Sequence, residues 1–184
     1  MYGLVNKAVE GLVVDTHGED KWREIRETAG VDVPIFVGMD PYPDSVTYDL
    51  VGAASEVLGS PAEDLLFEFG RYWVLFVGRE GYGELMSSAG TDVIDFLGNL
   101  DNLHTRVQTM MPELQPPGFK VSDATESGCR LHYFTERPGL APFVEGLVSG
   151  VGSMFGTPVD CRLDVSRADG ADHDVFVVEL QGSV

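Results

Sequence analysis

The stretch Leu131-His132-Tyr133-Phe134-Thr135-Glu136-Arg137 runs into Pro138-Gly139-Leu140-Ala141-Pro142-Phe143-Val144 and changes its period on the way. The first half alternates and predicts a strand over 129–136. The second half opens a helix predicted over 138–155, with Leu147, Val148, Val151, Met154 and Phe155 as its apolar positions. Upstream, residues 119–121 read as a partner strand, joined through the turn Thr125-Glu126-Ser127-Gly128. Downstream, 159–165 and 175–180 form a second strand pair across the turn Ala168-Asp169-Gly170-Ala171-Asp172. Strand, strand, helix, strand, strand in one block is an α+β arrangement, not an alternating parallel one.

What precedes this block is helical. Leu4, Val5, Ala8, Val9, Leu12 and Val13 form an apolar stripe over 2–15. A more polar helix is predicted around 21–27, and the stretch holding Pro34, Pro41 and Pro43 is loop. Asp44-Ser45 reads as a cap for a helix over 46–51. Ser60-Pro61-Ala62-Glu63 reads as N-cap Ser, then Pro at the first helical position and Glu at the third. That helix carries Leu65, Leu66, Phe69, Tyr72, Trp73 and Phe76, apolar around much of its circumference. A short helix over 83–88 follows. Thr91-Asp92 then opens one helix that carries Phe96, Leu97, Leu100, Leu103, Val107, Met110 and Met111, and Pro112 ends it.

The chain has 184 residues, enough to bury a core without disulfides or structural metal, and reads as one domain. Lys and Arg number 12 against 30 Asp and Glu, a formal net charge of −18. Such a balance argues against nucleic acid and against an anionic membrane, both of which need basic clusters. No leader and no run of about 18 apolar residues is visible, and Cys129 and Cys161 stand far apart, so the expectation is a cytoplasmic protein with reduced thiols. Glycine is abundant, at 22 residues. Yet Gly78-Arg79-Glu80-Gly81-Tyr82-Gly83 follows a helix and lacks the Lys of a phosphate loop. Gly146, Gly150 and Gly152 instead suit close packing in the last helix. No nucleophile elbow, HExxH or Cys–His signature appears, and no acid–base pair for hydrolysis.

Two features carry chemistry. His104 falls on the apolar stripe of its helix, with Leu97 and Leu100 before it and Val107 and Met111 after it. It reads either as a satisfied core histidine or as an iron ligand, since a neutral imidazole nitrogen in an apolar cavity suits haem iron. Tyr133, Thr135 and Arg137 alternate onto one strand face with Leu131. They form either an ordinary solvated face or a carboxylate cradle of two hydroxyls and a guanidinium fork. His132, Asp172, His173 and Asp174 read as surface residues.

Several segments together resemble the haem nitric oxide/oxygen-binding (H-NOX) family. They are Met1-Tyr2-Gly3-Leu4-Val5-Asn6, Val51-Gly52-Ala53-Ala54-Ser55, Phe69-Gly70-Arg71-Tyr72-Trp73, Gly81-Tyr82-Gly83-Glu84-Leu85, Asn99-Leu100-Asp101-Asn102-Leu103-His104, Tyr133-Phe134-Thr135-Glu136-Arg137 and Pro138-Gly139-Leu140-Ala141-Pro142-Phe143-Val144. The resemblance spans the chain. It implies one domain over 1–184, a helical part over 1–60 and a haem-ligating part over 61–184 with a four-stranded antiparallel sheet. It implies haem b between them, with His104 as the iron's protein ligand and Tyr133, Thr135 and Arg137 on the propionates. Thr135 stands where the family motif usually has Ser, and the hydroxyl is kept. The same resemblance places Met1, Leu4, Leu97, Leu100, Pro117 and Leu147 against the haem.

Oxygen-binding relatives carry a distal Tyr three residues before a Gly-Leu pair. Here Gly146-Leu147 puts Phe143 there, without a hydroxyl to donate to dioxygen. Val5, Val9, Trp73 and Phe143 are the expected distal pocket. The implied function is a non-enzymatic sensor of nitric oxide, also binding carbon monoxide but not oxygen. It signals in trans, through release of His104, to a partner such as a histidine kinase or diguanylate cyclase. The alternatives are a haem oxygen carrier or a nitric-oxide-consuming haem protein, which the Trp73 indole would favour, and a haem-free module that binds an acidic ligand.

Overall fold

A computed structural model describes residues 1–181. Helices α1 (Gly3–His17), α2 (Glu19–Ala29) and α3 (Asp44–Leu58) form the N-terminal body. Glycines in the left-handed region stop α2 at Gly30 and α3 at Gly59, where a Cβ would be strained. Ile25, Leu50 and Ala8 are fully enclosed there, with Trp22, Phe36, Phe69 and Phe76 around them.

The long α4 (Ala62–Val77) serves both halves: Phe69 and Phe76 belong to the helical core, and Val74 to the second core. Gly78–Tyr82 forms a wider turn with Gly81 at φ +99°, and α5 (Gly83–Ser87) follows. The predicted helix over 91–111 is two helices, α6 (Val93–Gly98) and α7 (Leu100–Met110). Asp92 caps α6 by accepting the Asp95 N–H at 2.9 Å. Asn99 sits between the two, its side chain donating to the Asp95 carbonyl at 3.0 Å. Such a local side-chain bond competes with helix continuation.

The sheet is built from β1 (Gly118–Thr125), β2 (Gly128–Phe134), β3 (Val159–Val165) and β4 (Asp174–Leu180), in the order β1-β2-β4-β3 with every pair antiparallel. Helix α8 (Ala141–Met154) covers its inner face. Val144, Val148 and Val151 pack there with Phe119, Leu131, Phe176 and Val178. Helices α4 and α8 touch backbone to backbone. A Cβ on Gly70 would strike the Phe143 carbonyl, and one on Gly146 the Phe67 carbonyl. Gly150 also faces α4, while Gly152 faces Val159 and Thr157.

Some local expectations are corrected. Ser60 is not the cap of α4. Pro61 flanks the helix without a side-chain cap, and the Ser60 carbonyl accepts the Ser55 hydroxyl at 2.6 Å. Asp44 is the first residue of α3, and its carboxylate is engaged elsewhere. Strand β2 ends at Phe134, so Thr135 and Arg137 lie beyond the sheet ladder, and α8 begins at Ala141 rather than 138. Among the described residues no helix is long and apolar enough to cross a membrane.

Candidate functional site

A cavity of about 290 Å³ lies between the helical body and the sheet domain, lined almost wholly by apolar side chains. One wall belongs to α7 and the residues after it: Leu103, His104, Val107, Met111, Pro116 and Pro117. The spacing 104, 107, 111 is one face of a helix that restarts at Leu100. Leu4 and Val5 of α1, Trp73 of α4, and Phe143 and Leu147 of α8 form other parts of the wall, with Met1 at the chain start.

The cavity therefore gathers His104, Tyr133, Thr135, Arg137, Met1, Leu4, Pro117, Leu147, Val5, Trp73 and Phe143. Three residues expected there lie elsewhere. Val9, one turn beyond Val5, is enclosed in the helical core. Leu97 belongs to α6, on the other side of the Asn99 break. Leu100, at the first position of α7, packs into the sheet-side core. Missed by the sequence reading were Tyr2, Phe69, Val77 and Leu103. The helical spacing from Trp73 to Phe69 and Val77 was the available signal.

His104 is buried at the cavity wall, beside the Pro117 carbonyl. Its buried Nδ1 has no hydrogen-bond partner of ordinary geometry. Burial lowers its pKa, only partly offset by Asp101 one turn earlier and by the nearby Pro117 carbonyl. The ring is thus held neutral, with a lone pair to offer. Phe119 packs beside it at 5.9 Å between ring centres, and Phe119 is tied back to α7 through its N–H to Asp101 at 2.7 Å.

The polar rim lies where β2 ends. Tyr133 is 3% exposed, and its ring packs between Phe119 and Phe176. Burial pushes its phenol pKa up, and the Thr135 hydroxyl beside it acts the other way. Thr135 also accepts the Arg137 N–H at 3.1 Å. Arg137 is not free. Its Nε donates to Asp44 at 2.7 Å and its Nη1 to the Gln115 carbonyl at 2.8 Å. Asp44 also receives the N-terminal ammonium of Met1 at 2.5 Å. Partial burial works against the Asp44 carboxylate, but Arg137 and the ammonium outweigh it and hold its pKa below the usual value. Nothing local in the sequence marks Asp44, whose partner is 93 positions away.

The donor set fits haem on this geometry. A neutral imidazole faces an apolar cavity, and a guanidinium at its rim already grips one carboxylate, that of Asp44, as it would a propionate. No tyrosine hydroxyl of the lining is free of a partner: Tyr2 accepts the Glu113 N–H, Tyr48 donates to the Pro138 carbonyl, Tyr82 faces the Met39 sulfur and Tyr133 faces Thr135.

Comparison with known proteins agrees with this picture. The chain is 27% identical over 96% of its length to soluble guanylate cyclase gcy-31 of Caenorhabditis elegans, and spans 25% of that protein. It is 30% identical over 97% of its length to gcy-33 of the same organism, spanning 19%. The chain thus covers a quarter or less of these relatives. Among solved structures, the H-NOX protein of S. oneidensis in the Fe(II)NO state superposes with TM-score 0.89, at 22% identity and over 99% of this chain and all of that one. The H-NOX protein of K. algicida superposes with TM-score 0.86, at 19% identity, over all of this chain and 98% of that one. The fold is accordingly the H-NOX fold. The family model described as Haem-NO-binding matches residues 2–163, and the chain belongs to that family of haem-binding gas-sensor domains.

Proposed function

We propose that this domain senses nitric oxide on ferrous haem b, binds carbon monoxide as well, and does not hold oxygen. The observation that carries the reading is His104: its buried, neutral ring, with only the Pro117 carbonyl beside it, lines an apolar cavity whose rim ends in Arg137. Haem supplies the iron that binds the gas. His104 is its protein ligand, and Tyr133, Thr135 and Arg137 hold the propionates, with Met1, Leu4, Pro117 and Leu147 packing against the ring. Residues 1–184 act as one such domain.

The chain's own residues account for selectivity. Val5, Trp73 and Phe143 form the distal wall, and Phe143 presents no hydroxyl there. Bound dioxygen is strongly polar and needs a donor; nitric oxide and carbon monoxide need one less. The indole N–H of Trp73 favours an oxygen-carrying or nitric-oxide-consuming reading. The S. oneidensis proteins described in Fe(II)NO and Fe(II)CO states support gas binding by this fold.

Signalling needs two states that the ligand distinguishes. The Asp44 bridge supplies a mechanical element. One carboxylate ties the chain start and α3 to Arg137, beyond β2. A carboxylate held by Arg137 would compete with Asp44 and so loosen the tie between the helical body and the sheet side. His104 would be the residue through which a change at the iron reaches α7. A separate signalling protein, such as a histidine kinase or a diguanylate cyclase, reads this change. The domain itself carries out no catalysis.

The test is the absorption spectrum of the reduced protein under argon, nitric oxide, carbon monoxide and air. A Soret band that shifts with nitric oxide and carbon monoxide and gives no lasting oxy form in air supports the reading. Absence of a Soret band overturns it.

A further inference from the structure

We infer that the segment joining β3 to β4 positions the carboxylate-binding residues 133–137 from the outer side of the sheet. Arg167 and His173 act as positioning residues, in a hold that accepts one proton but not two. This rests on the haem reading above.

Arg167 donates to the Thr135 carbonyl, and the Asp174 carboxylate fixes the Arg167 backbone N–H at 2.6 Å. His173 stacks on Phe134, ring centres 4.2 Å apart. It also faces His132, Nε2 to Nδ1, at 2.8 Å. The segment thus touches residues 132, 134 and 135 from outside, while Tyr133 and Thr135 point to the cavity inside. Alternation along the strand makes this possible: one backbone, two faces.

The proton count follows from the partners. The Asp172 carboxylate, 2.6 Å from His173 Nδ1, can only accept, so that nitrogen donates. In the neutral pair His173 Nε2 then accepts, His132 Nδ1 donates, and His132 Nε2 accepts the Ser122 hydroxyl at 2.9 Å. One added proton reverses the direction without breaking anything. His173 donates to His132, His132 donates to Ser122, and the hydroxyl turns to Asp123 at 3.2 Å. A second proton sets N–H against N–H, and the bond between the rings is lost. The other charges near the pair are Lys120 and Asp123 on β1, Arg130 on β2, and Asp172 with Asp174 at the start of β4. The acids Asp123, Asp172 and Asp174 offset the first proton, and the cations Lys120 and Arg130 oppose the second.

The experiment follows haem transfer from the ferric protein to excess apomyoglobin between pH 8 and pH 5. Wild type is compared with Arg167→Gln, Arg167→Lys, His173→Ala and His173→Gln. Expected is loss about fivefold faster at pH 8 for Arg167→Gln and for His173→Ala, the factor of one hydrogen bond. Arg167→Lys restores most of it. His173→Gln keeps a near-wild-type rate at pH 8 and shows a shallower acid acceleration. Wild-type rates in Arg167→Gln, or one shared pH profile for wild type and His173→Gln, overturn the inference. A second readout needs no haem: side-chain nitrogen NMR of His132 and His173 in the haem-free protein. The inference requires a hydrogen bond between His132 Nδ1 and His173 Nε2 at pH 8 that is lost on acidification, with the His132 Nδ1 signal altered in His173→Gln. Absence of that bond, or an unchanged His132 signal in His173→Gln, overturns it, whatever the haem spectrum shows.

Discussion

Two polar chains run along opposite faces of the end of β2, and they are finished differently. On the outer face, Ser122, His132, His173 and Asp172 form a closed series in which each ring nitrogen has a protein partner. On the cavity side, the His104 ring has only the Pro117 carbonyl beside it, outside ordinary hydrogen-bond geometry, and Arg137 is held by the Asp44 carboxylate. Buried polar groups are ordinarily satisfied, so an unfinished set at the wall of a cavity is a candidate for binding something else. On the proposed reading, the closed set holds a shape and the open set holds a ligand.

The sharpest way to break this contrast is at His104. Replacement by Ala removes the iron's protein ligand, and the absorption spectrum should lose its Soret band or weaken haem retention by a factor on the order of 100, the scale of a lost metal contact. Added imidazole should restore the band. An unchanged spectrum would mean that the open set is not the site. Next comes Arg137→Ala, which removes the guanidinium that the cavity side offers. Its haem should be lost about tenfold faster, as for a charge-assisted hydrogen bond. Asp44→Asn acts in the opposite direction: Arg137 loses its internal competitor, and haem loss should slow by a few-fold while the haem-free protein becomes less stable to urea. Equal effects of the two substitutions would contradict competition for Arg137.

The smallest effect is the pH dependence of the haem-free protein. Burial lowers the His104 pKa below the ordinary 6.5, so between its folded value and about 6.5 the unfolded chain binds more protons than the folded one. Stability therefore rises with pH through that window and falls on acidification. Urea unfolding at several pH values should show this slope, and His104→Gln should flatten it.

Much of this was legible in the sequence. Alternation marked the strands, and the switch from a period of two to 3.6 marked the helix after β2, while its packing on the sheet is known only from the structure. His104 and the trio Tyr133, Thr135 and Arg137 stood out because polar groups occupied positions whose neighbours were apolar. Hidden features are those set by distant or local competition. The break at Asn99 comes with a local side-chain bond to Asp95 within a continuous apolar stripe, and Leu97 and Leu100 on either side of it both pack into the sheet-side core. Asp44 resembled a helix cap until the fold brought Arg137 to it. His132 and His173 read as surface residues because their pairing spans 41 positions. The thiols illustrate the converse. Cys129 and Cys161 sit on two strands flanking Val178 on β4, and burial raises both pKa values, that of Cys129 to about 11, so neither is an activated nucleophile.

The most direct test of the central claim is made on the reduced protein exposed in turn to nitric oxide, carbon monoxide and air. The account predicts a Soret band that shifts with the first two gases and oxidises in air without a lasting oxy form. A stable oxy spectrum would contradict the distal assignment of Phe143, and a protein without a Soret band would contradict the assignment of His104.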